Sequence, residues 1–224
     1  MNALEGRQIS FSYGRGKTLL SQVDFYVQPG ECVILQGPSG SGKTTLCHIA
    51  GGIIPRSFSG DLEGEVLLFG TPLHSLSLAD VVKNVGILFQ NPDSQLFFPT
   101  VEDELAFGPE NLCLPREEIA LRIAEALDAV EMSSFRLVET DTLSHGQKQR
   151  IALAAVLALR PRVLILDEAF SQLDTASTAI VKGVLRRQKE LGQAIFMVEN
   201  GEEHLELAER VYELQGGQIR EVAL

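Results

Sequence analysis

Residues Gly37 to Thr45 read GPSGSGKTT, directly after the apolar run ECVILQ (Glu31 to Gln36) and directly before the helical pattern KTTLCHIAG (Lys43 to Gly51). This is G-x-x-x-x-G-K-[ST] set between a strand and a helix, the context that makes the motif specific. Gly40 and Gly42 permit a turn tight enough to aim successive N–H groups at one anion, and the helix that follows adds the positive end of its dipole. Gly37, Pro38, Ser39, Gly40, Ser41, Gly42, Lys43, Thr44 and Thr45 are therefore predicted to cradle the phosphates of a nucleoside triphosphate. Lys43 would reach the outer phosphates, and the Thr44 hydroxyl would bind Mg²⁺.

A phosphate cradle of this kind needs an acidic partner at another strand end. RVLILDEAF (Arg162 to Phe170) supplies it, with Asp167 expected to hold Mg²⁺ and Glu168 to polarise an attacking water. Two acids closing a buried strand have little structural purpose, because unpaired buried carboxylates are costly. The long separation of Lys43 from Asp167 points to a helical insertion between them.

Other short apolar runs recur: QISFSY, GEVLLFG, VGILFQ, AIFMVE, RVYELQ and QIREV. Helical patterns alternate with several of them, as in EEIALRIAEALDAV, QRIALAAVLAL and TASTAIVKGVLRRQKEL. The alternation predicts an α/β fold with a mostly parallel sheet, and CVIL and VLIL read as strands covered on both faces. It fails between Gln90 and Arg160, where TVED (Thr100 to Asp103) caps one helix and Pro115 opens another. The expected organisation is one domain over 1–224, with a nucleotide-binding core of 1–89 and 161–224 and a helical insertion over 90–160. After the turn at Gly216 and Gly217 only one further strand is expected, with no extra C-terminal domain.

Bulk composition narrows the function classes. The chain has 224 residues, 45% hydrophobic and 22% charged, with a formal net charge of -11. An acidic balance argues against wholesale binding of nucleic acid or of anionic lipid. No apolar run approaches the roughly eighteen residues of a membrane-spanning helix, and MNALEGRQISFSY lacks a signal-peptide layout. Cys32, Cys47 and Cys113 are odd in number and not in CxxC spacing, and are expected to be reduced core residues of a cytosolic protein. His48 and His74 lack ligand-like neighbours, so no structural metal is expected.

Together these motifs resemble the nucleotide-binding subunit of ABC transporters, an ABC-type P-loop NTPase with N-terminal antiparallel strands beside the parallel core, and the resemblance covers essentially the whole chain. It implies that Tyr13 in ISFSYG stacks on adenine and that Gln90, after VGILF, reaches Mg²⁺ and the water. LSHGQKQR (Leu143 to Arg150) resembles the signature LSGGQ, so Ser144, His145, Gly146 and Gln147 would close over the ATP of a second ATPase subunit, identical or different. Ser144 and Gln147 also read as a capping box in their own right. SQLD (Ser171 to Asp174) resembles the loop joining the two sites, and Asp174 is equally a helix N-cap. QNPDSQLFFPTVEDELAFGPEN (Gln90 to Asn111) is most similar to the ATPases of energy-coupling-factor importers and their cobalt or nickel relatives. That likeness implies a transmembrane coupling subunit docking near Gln90–Pro99 around Phe97, Phe98 and Pro99. It also implies vitamin or metal-ion uptake, and a peripheral position on the cytoplasmic face of the membrane without insertion.

Two departures stand against the pattern. His145 replaces the first glycine of the signature. In FMVENGEEH (Phe196 to His204) the family's switch histidine, which touches the terminal phosphate, is missing: an ungapped alignment puts Glu199 there and one gap puts Asn200 there. A carboxylate would repel the phosphate or take up a proton, whereas Asn200 would donate a neutral hydrogen bond. Asn200 and Glu203 read as an N-x-x-E cap, leaving His204 as a solvated helix residue beyond the first turn. The expectation is ATP hydrolysis that is slow. The alternatives are a degenerate regulatory subunit of a heterodimer, and a soluble ABC ATPase outside transport.

Overall fold

The computed structural model describes residues 1–14, 16 and 18–223. A four-stranded antiparallel sheet has the order β2-β1-β4-β5, from β1 (Leu4–Ser12), β2 (Leu20–Val27), β4 (Asp61–Leu68) and β5 (Thr71–Pro72). The six-stranded sheet has the order β10-β9-β3-β8-β7-β6, from β3 (Cys32–Gln36), β6 (Val85–Leu88), β7 (Val163–Asp167), β8 (Ala194–Glu199), β9 (Arg210–Gln215) and β10 (Gln218–Val222). All its pairings are parallel except β9–β10.

The apolar runs of the central strands serve two cores. Val33 and Leu35 of β3, Val163 and Ile165 of β7, and Phe196 and Val198 of β8 face the antiparallel sheet and α1 (Lys43–Ala50). Ile34, Leu164, Leu166, Ile195 and Met197 alternate to the other face, beneath the helices. Period-two alternation with both faces covered makes every position apolar. Phe196 is fully buried and stacks on Phe25 of β2, with centroids 5.0 Å apart and planes at 17°. That contact joins the two sheets.

Between β6 and β7 the chain is helical: α3 (Val101–Asn111), α4 (Arg116–Ala129) and α5 (His145–Ala158). Thr100 caps α3 by accepting the Asp103 N–H. Ser144 and Gln147 form a reciprocal capping box on α5. Asp174 caps α6 (Thr175–Glu190) by accepting the Ser177 N–H at 2.6 Å. Each cap satisfies a donor that the first helical turn leaves free.

Two elements escape sequence reading. In β2 the apolar set Leu20, Val23, Phe25 and Val27 is out of phase because Gln22 adopts φ 50° at a register shift. The helix α2 (Leu78–Asn84), capped by Ser77, buries only Val81 and so shows no apolar period. Cys113 corrects an expectation: Cys32 and Cys47 are buried, but Cys113 is exposed, in the turn where the chain leaves α3 at φ 55°. No helix among the described residues is long and apolar enough to cross a membrane.

Phe196→Ala removes the buried ring that both sheets share. It should cost about 3–5 kcal/mol, read as a lowered urea midpoint at unchanged slope. A loss below about 1 kcal/mol would show that the inter-sheet contact is not central to the core.

Candidate nucleotide site

Three parallel strands end side by side. Gln36 at the end of β3 pairs with Glu199 at the end of β8, and Val198 pairs with Asp167 at the end of β7. The crevice beyond the carboxyl ends of such strands is where open α/β sheets bind ligands. The loop Gly37–Gly42 leaves β3 there and enters α1 through Gly42 at φ 106°, with Gly40 at φ 75°. A Cβ on Gly37 would lie 2.4 Å from the Leu214 carbonyl, so this approach admits only glycine.

Lys43 is 4% exposed, and its ammonium donates to the carbonyls of Gly37 (2.8 Å) and Pro38 (3.2 Å) and to Asn200 Oδ1 (2.8 Å). The Thr44 hydroxyl donates to Asp167 Oδ1 at 3.2 Å. Gln90 Nε2 donates to Glu168 Oε2 at 2.6 Å. Glu168 takes a left-handed backbone, φ 49°, while its N–H continues the sheet ladder to the Val198 carbonyl. For a residue with a Cβ that conformation costs about 1–2 kcal/mol, a strain characteristic of functional turns. Ser39, Gly40, Gly42, Lys43, Thr44, Thr45, Gln90, Glu168 and Asn200 line one pocket, together with Leu19, which no sequence signal marks. Pro38 and Ser41 line the adjoining recess with Thr18, Leu19, Gly216 and Gly217.

Tyr13 stands beside the cradle. Its hydroxyl lies 3.1 Å from Thr45 Oγ1, its ring meets Phe11 edge-on at 4.7 Å, and half of it is exposed. Ser144, His145, Gly146 and Gln147, expected from the sequence to meet a second subunit's ATP, sit at the start of α5 and do not line the pocket of their own chain. A Cβ on Gly146 would meet Ser177 Oγ at 3.2 Å, and His145 Nε2 is buried without a partner.

Asp167 and Glu199 bear the electrostatic load. Burial, reinforced by the Glu168 charge, pushes the Asp167 carboxyl above its ordinary range, against the pull of the Thr44 hydrogen bond. Thr44, Asp167 and Gln90 form a set of hard oxygen donors of the kind Mg²⁺ prefers. Glu199 is 8% exposed, and its Oε1 has no partner. Burial, then the charges of Glu168, Glu203 and Asp167, push its pKa up to about 8. Of the two switch candidates, Asn200 faces the phosphate pocket, and Glu199 lies in the wall of a neighbouring cleft.

His204 requires correction. No helix follows an Asn200–Glu203 cap: residues 201–204 form turns, His204 has φ 71°, and only a 3-10 turn, Leu205–Leu207, comes before β9. Leu207 is buried beneath α6, so the short connection is pulled inward and has no room to propagate a helix. The His204 side chain is 12% exposed and packs on Phe170 at 4.1 Å between ring centres, not in solvent.

Known proteins share this fold. The model of the ABC transporter family matches residues 20–171. The energy-coupling factor transporter ATP-binding protein EcfA of Methanocaldococcus jannaschii is 39% identical over 222 residues, 98% of this chain and 78% of that protein. Among solved structures, CbiO1 of Clostridium perfringens, part of the ABC transporter complex CbiONQ, is 30% identical with a TM-score of 0.86, over 98% of this chain and 87% of its own. The ATP-binding cassette MJ0796, in a dimeric post-hydrolysis state with ADP and Pi, is 25% identical with a TM-score of 0.84, over 99% and 98%. The molecule is thus an ABC-type ATPase cassette. The chain belongs to the ABC transporter family, as an ATP-binding chain. It spans only 34% and 38% of the length of two Methanosarcina relatives that it also matches.

The buried Glu199 ties stability to pH. Its folded pKa lies above the unfolded value, so the folded state holds the extra proton, and stability falls as pH rises from about 4.5 to about 8. Glu199→Gln should therefore melt higher than wild type at pH 8.5 and close to it at pH 4.5. Parallel melting curves with no pH-dependent gap would mean that Glu199 ionises freely.

Proposed function

We propose that this chain hydrolyses ATP as the nucleotide-binding subunit of an importer of the energy-coupling-factor type, serving vitamin or metal-ion uptake. The observation that carries the reading is the convergence on one pocket of the Gly37–Thr45 cradle, the Thr44–Asp167 contact at 3.2 Å and the Gln90–Glu168 contact at 2.6 Å. Glu168 accepts the proton of the attacking water, and Gln90 holds that carboxylate in place. The Lys43 ammonium exchanges the Gly37 and Pro38 carbonyls and Asn200 for phosphate oxygens when ATP enters. Thr44, Asp167 and Gln90 would hold Mg²⁺, which when bound supplies neutralisation of phosphate charge.

Asn200 takes the switch position and offers the terminal phosphate an uncharged donor in place of a histidine. Hydrolysis is slow for that reason. Tyr13 presents its exposed ring to the adenine. The capped start of α5, from Ser144 to Gln147, serves the ATP of the second subunit, with a helix N-terminus aimed at a phosphate. The segment 90–160 acts as the helical insertion of a single domain whose core is 1–89 and 161–224.

A fixed docking face supports the importer reading. Glu104 is 6% exposed, and its Oε2 accepts the N–H groups of both Phe97 (2.7 Å) and Phe98 (2.8 Å). That anchor holds Phe97 74% exposed, a large ring fixed in water without an internal reason. A helix of the transmembrane coupling subunit would cover it, placing the chain at the membrane surface on the cytoplasmic side. A second reading, a regulatory ATP-binding subunit, draws on the charged wall at Glu199 and on His145 in the signature.

Glu168→Gln should bind ATP within a few-fold of wild type and lose turnover by about 100-fold or more. Wild-type turnover in that variant would overturn the assignment of the base. Phe97→Ala should leave turnover of the isolated chain unchanged while reducing its recovery with the membrane subunit.

A further inference from the structure

Beside the nucleotide pocket lies a second cleft, walled by Glu168, Phe170, Ser171, Glu199, Asn200, Gly201, Glu202, Glu203 and His204. Three of its residues carry buried polar atoms without a partner: Ser171 Oγ, Glu199 Oε1 and His204 Nδ1. Burial also keeps His204 below its ordinary range, so the ring is neutral. In a neutral imidazole one ring nitrogen is an acceptor, so Nδ1 can take a hydrogen bond in one tautomer; Nε2 lies 4.0 Å from Glu203 Oε2. Buried polar atoms in native proteins are nearly always satisfied, and three orphans in one wall are unusual. All three can accept a hydrogen bond, and Glu202 and Glu203 line the same cleft.

Among the described residues, no lysine or arginine forms an ion pair with Glu168, Glu199, Glu202 or Glu203; the nearby Lys182 is taken by Glu206 at 2.6 Å. Nor do any three acidic, histidine or cysteine side chains among them converge closely enough to hold a metal ion. The cleft therefore asks for a cation with several donors spread over a plane, rather than for a point charge. A guanidinium has five donors in a fixed fork, whereas an ammonium is a compact charge that prefers its water. Around Gly201 there is open space for such a group to enter.

We propose that this cleft receives an arginine side chain of a protein partner. The site goes beyond the nucleotide reading, and its position gives it a use. Glu168 and Asn200 line both this cleft and the phosphate pocket. A guanidinium seated here places a positive charge beside the Glu168 carboxylate and steadies the Gly201–His204 turn that follows Asn200. Partner engagement is thereby coupled to the nucleotide site through two shared residues.

The test is a titration of the isotope-labelled chain with a capped Gly-Arg-Gly peptide and with its uncharged citrulline counterpart, followed by amide chemical shifts. The arginine peptide should give saturable shifts at Ser171, Glu199, Gly201 and His204, with affinity about tenfold above the citrulline peptide. A Glu202→Gln/Glu203→Gln variant, its fold checked by binding of a fluorescent ATP analogue, should lose most of that preference. If that variant does not fold, the discrimination by wild type decides alone. Equal response to the two peptides, or none, overturns the proposal. So does binding of free arginine without the capped peptide, or line broadening by Mn²⁺ at these residues alone, since either assigns the cleft to a small molecule or an inorganic cation. None of these outcomes depends on turnover, so failure here is separable from failure of the Glu168 assignment.

Discussion

The register of β3, β8 and β7 is the constraint from which the site follows. Pairing Gln36 with Glu199 and Asp167 with Val198 brings the Gly37–Gly42 loop, Glu199 and Asn200, and the acidic pair Asp167 and Glu168 to one edge of the sheet. A slip of one residue in any of these strands would turn its side chains to the opposite core, because the side-chain period is two. Ile34 would then meet the antiparallel sheet and Val33 the helices, and the same error would withdraw Asp167 from Thr44. The two hydrophobic cores thus hold the strand ends in place from both faces, with Phe196 stacked on Phe25 in the core beneath the antiparallel sheet.

That arrangement concentrates like charge. The Glu168 charge raises the proton affinity of Asp167, the charges of Glu168 and Asp167 raise that of Glu199, and Lys43 opposes both effects. The protein responds in three ways. Asp167 accepts from a hydroxyl, Glu168 is held by Gln90 in a strained turn, and Glu199 is kept protonated by burial. Buried carboxylates without counter-charge are otherwise rare. In the reading advanced here, the unfavourable cluster is relieved on one side by Mg²⁺ with ATP and on the other by a partner's arginine. The edge of the sheet is then a place where binding energy is available because the isolated chain leaves its charges unsatisfied.

The tight turn at Gly37–Gly42, the buried strand ending at Asp167 and the run of helices between β6 and β7 were legible because each rests on local rules. Glycine spacing sets a turn, a buried strand reads as continuous apolar sequence, and Thr100, Ser144 and Asp174 announce helix starts. The sequence pattern could not tell which of Glu199 and Asn200 lines the nucleotide pocket, since that depends on which residue follows the last ladder pair of β8 and where the chain then turns. It also misplaced His204, because an N-x-x-E pattern looks the same whether or not room exists for a helix behind it. The bulge at Gln22 hid β2 for a related reason: one left-handed residue shifts the alternation that identifies a strand. Long-range contacts such as Lys43 to Asn200 leave no mark in a single sequence.

The central claim is that Asn200, held against Lys43, is the residue that senses the terminal phosphate, and that Glu199 stands behind it as a buried neutral acid. ATP turnover of Asn200→Ala and Glu199→Gln, measured side by side at pH 7, tests this most directly. The account predicts that Asn200→Ala loses turnover by about tenfold or more, the scale of one lost transition-state hydrogen bond, while Glu199→Gln stays within about threefold of wild type. Loss of turnover in Glu199→Gln with Asn200→Ala unaffected would reverse the assignment and place the carboxylate itself at the phosphate.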